Sequence, residues 1–211
     1  MIGVNCMNKM QVIIMTKSTK YGGLCVAGFE CISGKWVRLV NDQGITYRNF
    51  VCCNNSKINV LDKIEISVIG SAATNIHTED IIVDLTEPII KISSLSLNQA
   101  LNIHNLENHQ YVLGNNKHAI YSDPSFIGHS LEIVKVNNAI LYEVEGPKGV
   151  KAKLDFVYNG IYYEKLSITD PEYFGMQDGT KLGELIIVVS IPDDEWSRSN
   201  GYFKFVAKIF R

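Results

Sequence analysis

The sequence predicts a mainly β protein that is built from two small β-barrel or β-sandwich modules. Roughly ten short segments show the apolar content or the alternation of strands, and turn residues separate them at close intervals. Only one segment, Ser94–Leu106, has the spacing of an amphipathic helix, with Ser96 as a candidate cap at its start. Strands therefore do not alternate with helices, and this disfavours a Rossmann-like parallel sheet.

Five strands are predicted in the first half of the chain. They are Gln11–Met15, Leu24–Ile32, Trp36–Val40, Leu61–Val68 and Ile81–Leu85. The segment 17–23 is predicted as a loop, because it is polar and ends in the Gly22-Gly23 pair. Ser33-Gly34 is predicted as a tight hairpin turn between the second and third strands.

Six further strands are predicted in the second half. They are 131–136, 139–145, 151–158, 161–166, 184–191 and 202–210. Asn159-Gly160 is the strongest hairpin signal, because Asn and Gly supply both positive-φ positions of a type I′ turn. Leu154, Phe156 and Tyr158 alternate along the strand before this turn and predict one buried face.

A polar and aromatic segment, Asn108–Pro124, separates the two sets of strands. At 211 residues the chain is long enough for two half-length modules. We therefore predict a β module at 1–92, a helix and loop connector at 93–128, and a second β module at 129–211.

The net charge of −2 conceals an uneven distribution. Residues 1–60 contain seven lysines and arginines against two acids, a balance of +5. The remainder contains 13 against 20, a balance of −7. A basic first part predicts an anion-binding surface there. The alternative interpretation is that both charge blocks only solvate the surface.

Composition and cysteine use predict a cytoplasmic protein without a metal or a cofactor. No apolar run reaches the roughly 18 residues that span a bilayer, and residues 1–9 lack the pattern of a secretory signal. The five cysteines are an odd number, which argues against a disulfide framework. The adjacent Cys52-Cys53 pair does not have the spacing of zinc ligands.

Several segments together resemble the dual OB-containing domain family. In the first half they are 17–28, with Lys17, Lys20, Gly22-Gly23 and Cys25-Val26-Ala27-Gly28, and Trp36-Val37-Arg38-Leu39. In the second half they are Tyr158-Asn159-Gly160 with Tyr163, Thr169-Asp170-Pro171, and Tyr202-Phe203-Lys204-Phe205-Val206-Ala207. The resemblance covers most of the chain and is weak between about residues 41 and 108. It implies two OB-like barrels joined by the connector, and it suggests nucleic-acid or nucleotide binding in bacterial or phage conflict.

The candidate binding surface follows from this resemblance. An OB barrel binds oligonucleotides on the face of its second and third strands, where cations contact phosphates and aromatic rings stack on bases. In the first module these are the strands at 24–32 and 36–40, and we expect the latter to expose Lys35 and Arg38. The predicted contacts are Lys17, Ser18, Lys20, Tyr21, Lys35, Trp36, Arg38 and Arg48. The alternative is that Trp36 is a core residue and that Tyr21 and Gly22-Gly23 only form a turn.

The first functional hypothesis is a non-enzymatic protein that binds single-stranded DNA or RNA through this face. A small linear or cyclic nucleotide is the alternative ligand, and a net charge of −2 favours a compact one. A protein-interaction scaffold is the third hypothesis. No catalytic residue is predicted, because Walker spacing is absent and the five histidines form no recognised ligand pattern. The cluster at 77–80, His-Thr-Glu-Asp, is interpreted as solvated loop residues.

Overall fold

The computed structural model describes residues 8–20, 23–41, 52, 56–146, 149–193 and 201–211. The chain divides into two compact units, the first comprising 1–74 and 79–105 and the second 75–78 and 106–211. In this division the predicted connector is shared, because 93–105 belong to the first unit and 106–128 to the second. Within the described ranges, no helix is long and apolar enough to cross a membrane.

Six strands and one short helix form the described part of the first unit. They are β1 (Asn8–Lys20), β2 (Gly23–Glu30), β3 (Trp36–Val40), β4 (Asp62–Ser71), β5 (Asp80–Val83), β6 (Ile90–Ser94) and α1 (Leu97–Leu101). The first five strands pair in a closed ring, in the order β1-β2-β3-β5-β4 and back to β1. The β3–β5 pairing is parallel and the other four are antiparallel. Strand β6 extends the sheet beside β4.

The second unit repeats this arrangement with seven strands. They are β7 (Ala119–Ile120), β8 (Leu131–Gly146), β9 (Gly149–Tyr158), β10 (Ile161–Ile168), β11 (Thr180–Ser190), β12 (Tyr202–Phe203) and β13 (Phe205–Phe210). Five of them close a barrel in the order β8-β9-β10-β13-β11, again with one parallel pairing, β10 with β13. Strands β7 and β12 form a separate two-stranded pair. Both units thus have the strand order of an OB barrel, which confirms the predicted fold class.

Each barrel has a core of its own, made by the inward-facing residues of alternating strands. In the first unit Ile14 of β1 and Ile64 of β4 are fully buried. In the second unit Leu154 and Phe156 of β9 are fully buried, and the Phe156 ring stacks on Tyr163 with centroids 5.1 Å apart. The alternation predicted along this strand is therefore present, although Asp155, between these two residues, is also buried.

The predicted loop at 17–23 is wrong over its first four residues. Residues 17–20 continue β1 and pair with β2, so that Lys17 lies opposite Val26 and Lys20 opposite Gly23. Backbone pairing with a neighbouring strand outweighs the polar composition of this segment, because strand formation depends strongly on tertiary context. Strand β1 is therefore longer, at both ends, than the predicted strand Gln11–Met15.

The two hairpin turns differ in how well the sequence predicted them. Asn159 and Gly160 have φ values of 48° and 77°, as the type I′ prediction requires. The turn at Ser33-Gly34 is wider than two residues, because Glu30 N bonds to the carbonyl of Lys35 at 2.9 Å. The Glu30 carboxylate accepts a hydrogen bond from Ser33 N at 2.6 Å, and this side chain closes the longer loop.

The only predicted α-helix exists, but it is shorter than 94–106. Ser96 caps it with a complete capping box, in which Ser96 Oγ accepts from Gln99 N and Gln99 Oε1 accepts from Ser96 N at 2.8 Å. The helix ends at Leu101, and Ala100 is its one buried residue. A single buried position gives little packing energy to extend so short a helix.

Candidate nucleic-acid interface

Lys17 and Ser18, two of the predicted contacts, are engaged by the first unit itself. Lys17 is half-buried, and its Nζ donates a hydrogen bond to the carbonyl of Ile58. Burial and the nearby charge of Lys57 lower the pKa of Lys17. Ser18 is 6% exposed. Both side chains thus contact their own unit, and a binding role for Lys17 or Ser18 stays a prediction.

Arg38 is buried, so the expectation that β3 exposes it is wrong. Its Nη1 lies 2.8 Å from Asp80 Oδ1 and its Nη2 lies 3.0 Å from Glu79 Oε1. Strand β5 runs parallel to β3 and places Asp80 opposite Arg38, which explains the pairing. The two carboxylates offset the cost of removing the guanidinium from water. The same contacts bury Glu79 and Asp80, which were expected in a solvated loop.

The remaining predicted contacts of the first unit lie at or near the β2–β3 loop or outside the described residues. Lys35 is exposed in the loop. Trp36 is half-buried, with its ring centroid 4.5 Å from that of Phe29 and 5.8 Å from that of His104. Tyr21, Arg48 and the side chain of Lys20 are not among the described groups. A binding role for Lys20, Tyr21, Lys35, Trp36 or Arg48 stays a prediction.

In the second unit, the outer surface of β9 carries two cations. Lys151 is exposed and Lys153 is half-buried, whereas Ala152 between them points into the barrel. Lys153 lies opposite Ser167 of β10, and its Nζ donates to Ser167 Oγ at 2.6 Å. Burial and the charge of Lys151 lower the pKa of Lys153. The two ammonium groups on this face of the strand therefore repel each other.

A cleft of about 340 Å³ opens beside Lys151. Its walls include Lys151 and Ser167 from the two strands, Phe174 and Phe205 from the segments that follow, and Glu143 from β8. Phe174 is 50% exposed, so a flat apolar ring is accessible in the wall. Cationic, aromatic and hydrogen-bonding groups therefore meet in one concavity, a combination that suits a flat anionic ligand.

Tyr162 adds an exposed ring farther along the same two strands. It is 56% exposed on β10, opposite Val157 of β9. Its hydroxyl donates a hydrogen bond to Asp155 Oδ2, and this bond raises the pKa of Tyr162 to about 12. Asp155 is itself fixed by Lys165 N, which donates to Asp155 Oδ1 at 2.7 Å. The ring is thus held in place at its hydroxyl end while its face remains open to solvent.

Strands β9 and β10 are the second and third strands of their barrel, the position at which OB folds bind oligonucleotides. The sequence pointed to the equivalent strands of the first unit, because the positive charge is concentrated there. A signal for the second unit was present. Because Leu154 and Phe156 were predicted to face inward, Lys151, Lys153 and every second residue along that strand had to face outward.

Polar residues elsewhere in the second unit have structural roles. Asp170 caps the 3₁₀ turn Pro171–Tyr173 by accepting from Glu172 N, and it also lies 3.1 Å from Lys208 Nζ. Asp170 thus organises this turn through its side chain. Lys204 Nζ donates to the carbonyls of Val112 and Asn115 at 2.6 and 2.7 Å. Burial lowers the pKa of Lys204 to about 7.

One group of described side chains has the composition of a metal site. His109, His129 and Glu132 place their ligand atoms within 4.8 Å of one another. Sequence spacing missed this group because its members come from two separate segments. The sequence therefore predicted no metal, although three potential ligands converge at the surface of the second unit.

Comparison with solved structures finds distant likenesses. A murine DNA-binding protein bound to double-stranded DNA matches with a TM-score of 0.42 and 9% identity, over 97% of this chain and 94% of that chain. The Ifi202 HINa domain in complex with a 20-bp double-stranded DNA matches with a TM-score of 0.41 and 9% identity, over 96% and 94%. At this level of likeness neither structure bears on what this chain binds.

Comparison with curated proteins finds no match. The family model for the dual OB-containing domain, in contrast, matches residues 10–209, which is nearly the whole chain. This extent agrees with the two closed rings of strands, each with the same order. The chain therefore belongs to the dual OB-containing domain family.

Proposed function

We propose that this chain is a non-enzymatic protein that binds single-stranded nucleic acid, and that the outer surface of β9 and β10 makes the main contacts. The observation that carries this proposal is the combination of Lys151, Lys153 and the exposed Tyr162 ring on the second and third strands of an OB barrel. We call these three residues the β9–β10 surface.

Lys151 and Lys153 supply the affinity for the phosphate backbone of the nucleic acid. A phosphate between Lys151 and Lys153 relieves their mutual repulsion and restores charge balance to the partly buried Lys153. Each phosphate that they bind also releases condensed counterions, which makes binding sensitive to salt. The nearby carboxylate of Glu143 opposes a second phosphate in the cleft and suits a base amino group instead.

The aromatic rings favour single strands over duplexes. A ring can stack only on a base whose face is free, and stacking contributes roughly 1–3 kcal/mol per base. Tyr162 and Phe174 are exposed by 56% and 50%, and each offers such a surface. Binding through Lys35, Trp36, Lys20, Tyr21 and Arg48 of the first unit stays a second prediction.

A small linear or cyclic nucleotide is the second candidate ligand. The cleft volume of about 340 Å³ favours it, because this lies at the lower end of the roughly 300–1,000 Å³ typical of small-molecule sites. The net charge of −2 also favours a compact ligand. In this alternative Phe174 stacks on the base and Lys151 contacts the phosphate.

Fluorescence anisotropy with labelled single-stranded and double-stranded oligonucleotides of equal sequence tests the proposal. We expect saturable binding to the single strand, with an affinity that falls steeply as salt rises. Absence of binding at low salt contradicts the proposal. A mononucleotide or cyclic nucleotide that raises the melting temperature saturably, without oligonucleotide binding, supports the second candidate.

A further inference from the structure

Two imidazole groups contact a single carboxylate oxygen of Glu132. His109 Nδ1 and His129 Nε2 each lie 2.9 Å from Glu132 Oε1. The carboxylate is 1% exposed, whereas the side chains of His109 and His129 are 52% and 32% exposed. Two nitrogens and one oxygen thus converge on one point at the surface of the second unit.

Hydrogen bonds from outside the cluster position the Glu132 carboxylate and the main chain of His109. Glu132 Oε2 accepts a hydrogen bond from Leu113 N at 2.9 Å, which orients the carboxylate. The carbonyl of His109 accepts from Tyr158 Oη at 3.0 Å and from Asn159 Nδ2 at 2.8 Å. These bonds hold the main chain that carries His109 in place.

The segment that carries His109 is also tied to the start of β8. Glu107 N donates to the carbonyl of Ile133 at 2.9 Å, and Ile133 N donates to Glu107 Oε2 at 2.6 Å. His129 follows Gly128, which has a φ of 75° and ends a 3₁₀ turn. The backbone segments that carry the three residues are therefore held by hydrogen bonds outside the cluster.

We propose that His109, His129 and Glu132 bind one Zn²⁺ ion, with a fourth coordination position open to water. Two imidazole nitrogens and one carboxylate oxygen form a ligand set that zinc accepts with tetrahedral geometry. Ligands at about 2.0–2.2 Å from a tetrahedral zinc lie roughly 3.3 Å apart. The two N···O separations of 2.9 Å therefore need to widen by only a few tenths of an ångström.

Other first-row metals of similar size also accept this ligand set. Imidazole also suits Cu, Ni and Co, whereas hard oxygen-seeking cations such as Mg²⁺ and Ca²⁺ favour sites without nitrogen. Binding requires both ligating nitrogens to be free of protons, so it competes with protonation of the imidazoles. The bound ion ties the segment at 107–113 to the barrel and stabilises the second unit.

The test uses the full chain without a histidine tag, stripped of metal with a chelator and then titrated with zinc chloride by calorimetry. We expect one zinc ion per chain and a melting temperature that rises with zinc concentration. Cobalt substitution reports the ligands independently, because a tetrahedral nitrogen and oxygen site gives visible bands without a thiolate charge-transfer band. A thiolate band overturns the assignment, because it places the ion on one of the cysteines.

His109→Ala and His129→Ala remove one ligand each at partly exposed positions, and circular dichroism of each variant checks that it folds. Each is expected to weaken zinc binding by roughly tenfold or more. The control is His118→Ala, because His118 is exposed and stacks on Phe203 outside the cluster. Zinc affinity that is unchanged in the double variant His109→Ala with His129→Ala overturns the proposal, as does the absence of zinc binding to the unmodified chain.

Discussion

Arg38 and Asp80 lie opposite each other on parallel neighbouring strands, and Arg38 Nη1 is 2.8 Å from Asp80 Oδ1 inside the first unit. Arg38 is 4% exposed, although its place in a basic segment pointed to a role in binding phosphate. With Glu79 as the second partner, the guanidinium has a structural role in closing the β3–β5 pairing.

Replacing Arg38 with Met is expected to destabilise the protein by about 3–5 kcal/mol, because two buried carboxylates lose their cation. Urea unfolding measures the free-energy change. Lys35→Met serves as the control, because Lys35 is exposed nearby and its loss is expected to cost less than about 0.5 kcal/mol. If Arg38→Met unfolds at the same urea concentration as the unmodified chain, the ion pairs of Arg38 with Glu79 and Asp80 do not stabilise the barrel of the first unit.

Gly28 is required by close packing between β1 and β2. A Cβ atom at this position would lie 2.0 Å from the carbonyl oxygen of Ile13, a backbone atom that cannot move aside. We expect Gly28→Ala to cost about 3 kcal/mol or more, at or beyond the upper end of the range for overpacked cores. Gly70→Ala is the matched control, because a methyl group at that position would have no other atom within 4 Å. Similar unfolding midpoints for the two variants would argue against the β1–β2 contact.

Lys204 is expected to make the stability depend on pH. Burial lowers its pKa to about 7 in the folded protein, from 10.5 in the unfolded chain. Between these values the unfolded chain binds more protons, so the free energy of unfolding should increase as pH rises above 7. The test compares the unmodified chain with Lys204→Met by urea unfolding at several pH values between 7 and 9.

The stability difference between the unmodified chain and Lys204→Met should grow in favour of Lys204 over this range. A difference that stays constant would show that the carbonyl oxygens of Val112 and Asn115 keep Lys204 charged. The variant also removes these hydrogen bonds, but that loss alone is independent of pH. The slope therefore separates the two effects.

Tyr162 is expected to contribute stacking energy to oligonucleotide binding. Tyr162→Ala should weaken binding to a single strand by about 1–3 kcal/mol, because the exposed ring is removed. Tyr162→Phe keeps the ring and should retain most of the affinity, although it loses the hydrogen bond to Asp155. Equal affinities for Tyr162→Ala and the unmodified chain would remove Tyr162 from the interface.

The sequence predicted the fold well because its signals are local. Asn159-Gly160 defines one turn by its backbone conformations, Ser96 defines the start of the helix, and alternation through Leu154 and Phe156 defines a buried face. Each of these features depends on residues that are close in the chain. The strand order could be predicted only through the family resemblance, because pairings such as β3 with β5 join distant segments.

The site was harder to predict for the same reason. Arg38 is neutralised by Glu79 and Asp80, about 40 positions away in the sequence, and charge counting along the chain cannot detect such a pairing. Lys151 and Lys153 lie in the acidic part of the chain, yet strand alternation brings both to one surface. The net charge of a segment counts buried and exposed side chains alike. It therefore does not show which charges lie on the surface of each barrel.

The most direct test of the proposed function compares two double variants with equal loss of charge. Lys151→Ala with Lys153→Ala alters the β9–β10 surface, whereas Lys135→Ala with Lys181→Ala alters exposed lysines of β8 and β11. The measurement is the slope of log affinity for a single-stranded oligonucleotide against log salt concentration. We predict that the first variant lowers the slope by about 0.7, because the one phosphate that Lys151 and Lys153 share is no longer neutralised, and that the second leaves it nearly unchanged. Equal slopes for the two variants would contradict binding at the β9–β10 surface.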